Sequence, residues 1–176
     1  MTDEDRDSIW IITEPTPDGT GYMATVHFNE DRAVTLTPEQ AVAYATDVLT
    51  VVGRAEYDAA VMRQITKLTG EPANGVQMIK DLRDDRPTLT ATAPLVMEPS
   101  VAVDDGNVFR PFIALHMEGK QFGQWTMDDA RGHAVGLLEV CAVADMDAAY
   151  ARSLVSLIGL DKERALAVVG DLARYR

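Results

Sequence analysis

A chain of 176 residues, 47% hydrophobic and 25% charged, suits one compact domain or two small ones and can build a core without disulfide or metal staples. Its formal net charge of −12 disfavours phosphate backbones and anionic membrane surfaces and favours solubility or a basic partner. The only cysteine, Cys141, excludes an intrachain disulfide and a cysteine-based zinc site. The start, Met1 to Asp7, is polar and acidic rather than basic and then apolar, and no apolar run approaches the length of a membrane span. A soluble, cytoplasmic protein is the expectation.

In chain order, Ile9-Trp10-Ile11-Ile12 reads as a short strand, broken by Pro15, Pro17 and Asp18-Gly19. Tyr22 to Phe28 and Ala33 to Leu36 read as two more strands around a turn at Asn29-Glu30-Asp31. Thr37-Pro38-Glu39-Gln40 is a helix start: a hydroxyl at the N-cap, proline at the first helical position, and Gln three residues on. Ala41, Ala45, Val48, Val52, Ala55, Ala59 and Met62 then recur at alternating steps of four and three. The register does not slip at Gly53, so one long helix is favoured over two joined there. Gly70 is a natural stop, and Ala73 to Arg83 forms a short final helix.

The second half repeats this order. Strands are expected near Leu95–Met97, Val108–Met117 and Phe122–Trp125, with Pro111 marking an edge or a bulge. Thr126-Met127-Asp128-Asp129 opens a helix whose seam is Ala130, Ala134, Leu137, Cys141, Ala144, Ala148 and Ala151. Gly159 ends it, and Asp161 caps a last helix to Ala173.

Sliding the chain by 89 residues aligns a series of identities over residues 26–70, among them His27 with His116, Asp58-Ala59-Ala60 with Asp147-Ala148-Ala149, Arg63 with Arg152, and Leu68 with Leu157. The expected fold is therefore α+β: a tandem duplication of a β-β-β-long helix-short helix unit, residues 1–87 and 88–176. The units would be related by a pseudo-twofold, with their alanine-rich helices packed together as in a fused dimer.

No spacing in the chain demands catalysis, a cofactor or a metal. His27 and His116 are two ligands at most, and read as half-buried strand residues. Cys141 reads as a small buried hydrophobe, and Trp125 as core. Asp104-Asp105-Gly106-Asn107 lacks the alternating acids of a calcium loop and reads as a turn. Asp58 and Arg63, like Asp147 and Arg152, are five apart, poorly placed for pairing on one helix. Pairing across the axis, Asp58 with Arg152 and Asp147 with Arg63, is the alternative. With Trp10 and Tyr57, these four are the candidate interaction residues.

The segments Thr37–Ala41, Arg54–Ala60, Ala130–Ala134 and Ala144–Tyr150, alanine-rich and acidic, resemble small accessory proteins of actinobacteriophages, a group with no assigned activity. The resemblance implies a phage or prophage accessory protein with a host or phage protein as partner. The expected function is that of a non-enzymatic, acidic protein-interaction module. One alternative is a nucleic-acid-mimicking inhibitor of a basic host protein, and another is a small-molecule binder or enzyme with its site between the repeats.

Overall fold

A threonine sets the start of each long helix. Thr37 N–H donates to Gln40 Oε1 at 2.9 Å while Gln40 N–H donates back to Thr37 Oγ1 at 3.2 Å. Thr126 and Asp129 repeat the reciprocal box at 3.2 and 3.1 Å. Each box satisfies backbone donors that a helix start otherwise leaves orphaned. The helices so launched are α1, Pro38–Thr69, and α3, Met127–Ser153. Every residue of both expected seams is buried. α1 runs through Gly53 unbroken, as its register required, because no periodicity is lost there.

The computed structural model describes residues 9–17, 21–28, 32–87, 89, 95–104, 106 and 108–173. The turn expected at Asn29-Glu30-Asp31, the break at Asp18-Gly19 and part of the Asp104–Asn107 turn lie outside them. The architecture is α+β. β1 (Ile9–Pro15), β2 (Tyr22–Phe28) and β3 (Arg32–Leu36) form one antiparallel sheet in that order. β4 (Leu95–Val103), β5 (Phe109–Met117) and β6 (Lys120–Trp125) form another. Two shorter helices, α2 (Pro72–Asp84) and α4 (Lys162–Ala173), complete the set, with a π-helical turn at Leu154–Ile158.

Three details differ from the sequence reading. β1 continues to Pro15 and β4 through Pro99 to Val103; both are edge strands, where a missing N–H costs no ladder bond. Pro111 sits in the central strand β5, yet β6 begins pairing only at Ile113, so Pro111 faces a partner on one side alone. The irregularity of this sheet falls instead between Leu115 and His116. The π-turn has no signature in the sequence.

The chain divides into two compact units, Met1–Val42 with Val135–Arg176, and Ala43–Ala134. In the first, Tyr22 of β2 packs with Ala144 and Ala151 of α3 and Val169 of α4, and its hydroxyl donates to Leu166 O at 3.2 Å. In the second, Ala59 and Met62 of α1, Ile79 of α2 and Phe109 of β5 form the core. Gly75 lets α2 approach α1 closely: a Cβ there would lie 3.0 Å from Met62 Cα. Among the described residues, no helix is long and apolar enough to cross a membrane.

Candidate functional site

In the second unit, Asp58 on α1 is fully buried with both carboxylate oxygens engaged. Arg83, in the last turn of α2, places Nε and Nη2 each 3.0 Å from Oδ2. Arg86 Nη2 donates to Oδ1. The turn that follows α2, closed by Arg86 N–H to Arg83 O at 3.1 Å, brings both guanidiniums to one side. These partners replace Arg152, which the sequence offered as one possible partner of Asp58. Arg63 donates Nη1 to Phe109 O at 3.2 Å. The partners of Asp58 come from the next helix, 25 and 28 residues on, beyond the reach of helical spacing rules.

Arg83 also donates to Pro99 O, and Arg54, one turn before Asp58, donates to Pro87 O at 2.9 Å. Arg54, Arg83 and Arg86 line a cavity of about 310 Å³ together with Tyr44 and the β4 segment 95–99. Tyr44 is 2% exposed, and among the described residues its hydroxyl has no partner; neither has Arg86 Nη1. Behind Tyr44, its ring meets His133 edge-on at 5.8 Å, and His133 in turn lies 4.5 Å from Trp125. Burial pushes the Tyr44 phenol well above its ordinary pKa and pulls the His133 imidazole down to about 4.

In the first unit, the π-turn ends at Gly159, whose φ of 78° is the left-handed conformation glycine allows, and Leu160 N–H closes it on Leu154 O at 3.2 Å. The wider turn leaves Leu157 81% and Ile158 68% exposed. Beside them, Ala151, Val155, Ala165 and Leu166 line an apolar groove of about 560 Å³, to which Arg152 and Lys162 add basic side chains.

The chain matches no family model, no curated protein and no solved structure. Its chemistry is read from its own residues.

The candidate interaction residues separate by burial. Trp10 stacks on His27 with ring centroids 5.0 Å apart and planes 2° from parallel. Tyr57 is exposed on α1, and Arg152 is exposed beside the groove. Asp58 and Asp147 are fully buried, so neither can touch a partner; both serve the interior. Asp147 lies close enough to Tyr22 for its charge to help burial raise that phenol's pKa. His27 and His116 are half-buried on their strands, with Nε2 3.7 Å from Glu14 Oε1 and 3.5 Å from Glu98 Oε2 respectively. Asp104 Oδ1 accepts from Gly106 and Val108 N–H at 3.1 and 3.0 Å, a side-chain-closed turn. Cys141 is buried, and burial raises its thiol pKa. The sequence reading did not single out Arg54, Arg83, Arg86, Leu157 or Ile158 as site residues. The choice of Arg152 and the identity of Leu68 with Leu157 touched this surface, and neither carried a hint of the exposed apolar pair.

Proposed function

We propose that this chain is a protein-interaction module that docks a partner on the apolar ridge and groove formed by the π-turn and α4. The observation that carries the reading is the exposure of Leu157 and Ile158 side by side in an ordered turn. Burying a leucine or isoleucine side chain is worth about 1.5–3 kcal/mol, so two exposed together beside an apolar groove are a reserve of binding energy. Arg152 and Lys162 favour an acidic segment with an apolar face as occupant. The actinobacteriophage resemblance is the reason to seek that partner among host and phage proteins.

The same reading includes a duplicated ancestry. Several matched features support it: a three-stranded antiparallel sheet before each long helix, a reciprocal threonine box at each start, and a fully buried aspartate in each. Gly70 and Gly159 both adopt φ 78°, and the aligned Leu68 and Leu157 are both exposed.

The test is affinity capture with wild-type protein and with a Leu157→Glu, Ile158→Glu variant of unchanged circular dichroism and melting temperature. A protein held by wild type at low and high salt and lost by the variant supports the reading. Equal retention by both sinks it, and retention lost only at high salt favours the nucleic-acid-mimicking alternative.

A further inference from the structure

We propose that the cavity lined by Arg54, Arg83 and Arg86 binds a small organic monocarboxylate, with its carboxylate on the buried donors and its apolar body against β4. The inference is independent of the ridge in the other unit.

Two buried donors at this cavity have no acceptor among the described residues. Asp58 holds Arg83 by its Nε–Nη2 edge and Arg86 through Nη2 alone, which orients both guanidiniums and leaves Nη1 on each for another acceptor. Arg83 Nη1 comes no nearer than 3.9 Å to Glu98 Oε1, beyond hydrogen-bond distance. Arg86 Nη1 is buried with no partner among the described residues, although 18% of the side chain stays exposed. Tyr44 Oη is a second buried group without a partner. A phenol whose pKa burial raises keeps its proton and presents a donor. Buried donors left without acceptors are costly, and those of an ionised group more so. A carboxylate, which only accepts and matches the guanidinium fork, is the complementary group.

Charge and lining narrow the class further. Three arginines stand against Asp47 and Glu98 in the lining and Asp58 behind it, a formally neutral setting. One added negative charge is compatible with it, whereas a phosphate dianion meets the two lining carboxylates. Leu89, Leu95, Met97 and Pro99 supply an apolar wall, and about 310 Å³ is at the small end of ligand cavities.

The experiment titrates the isotope-labelled full chain with hexanoate, hexanamide and inorganic phosphate at constant pH and ionic strength, reading nuclear magnetic resonance shifts. The expected result is hexanoate shifts centred on the amides of residues 95–98 and the Arg83 and Arg86 Nε signals, with affinity at least about tenfold above hexanamide. Arg86→Lys keeps a cation beside Asp58 but removes the fork. It should weaken hexanoate about tenfold and leave hexanamide unchanged. Arg54→Gln, at a half-buried position whose guanidinium makes one hydrogen bond to Pro87 O, should weaken hexanoate severalfold while the chain stays folded by circular dichroism, which keeps the test valid if the Arg86 variant unfolds. Hexanamide binding as well as hexanoate, phosphate binding more tightly than either, or no shifts at tens of millimolar hexanoate would each overturn the proposal.

Discussion

At the scale of single residues, burial rather than catalytic geometry sets the chemistry. His133 sits between Tyr44 and Trp125 with its Nε2 buried and without a partner among the described residues, and burial pulls its pKa down to about 4. An unfolded histidine titrates near 6.5. Between those values the unfolded chain binds the proton that the folded chain refuses. Stability is therefore fully present above about pH 6.5 and declines as pH falls towards 4, by an amount on the order of 2 kcal/mol from this residue. Urea melts at pH 7 and pH 5 should show that decline, and His133→Phe should reduce the difference between them. Tyr44 and His133 are 89 residues apart, the offset at which the two halves of the sequence align. That their rings touch was not legible, because residues 89 apart in sequence meet only through tertiary packing. Asp58 teaches the same lesson: its importance was visible as a matched position, and its arginine partners were not.

At the scale of elements, the local rules carried most of the fold. Both threonine boxes, both buried seams and the glycine ends were legible because capping and helical periodicity are local properties. The strands were located but cut short at prolines, since a sequence does not say which strand will be an edge. The π-turn escaped altogether: one extra residue per turn leaves no mark on the pattern of apolar side chains until the chain has folded. Two glycines test the helix account with opposite signs. Gly53 lies within α1 with open space where a Cβ would go, so Gly53→Ala should stabilise by about 0.5–1 kcal/mol. Gly70 has φ +78°, so Gly70→Ala should destabilise by about 1 kcal/mol although the space around it is equally open. Denaturant midpoints of the two variants should move apart; both moving the same way would mean that α1 does not end as described.

At the scale of the whole molecule, an acidic chain concentrates two unlike surfaces in its two compact units. One carries an exposed apolar ridge beside basic side chains, and the other an arginine-lined cavity. Neither was legible beforehand. The ridge depends on which leucines a turn expels, and the cavity on where α2 ends relative to β4. The composition excluded function classes, but it could not point to a surface. The central claim is that Leu157 and Ile158 meet a partner protein. The most direct measurement places a photo-crosslinking amino acid at position 157, and in a control at the exposed Lys120 of the other unit's β5–β6 hairpin, and irradiates each in lysate. A discrete adduct of one mass from position 157, absent from position 120, is the predicted result. The same adducts from both positions, or none from 157, would contradict the account.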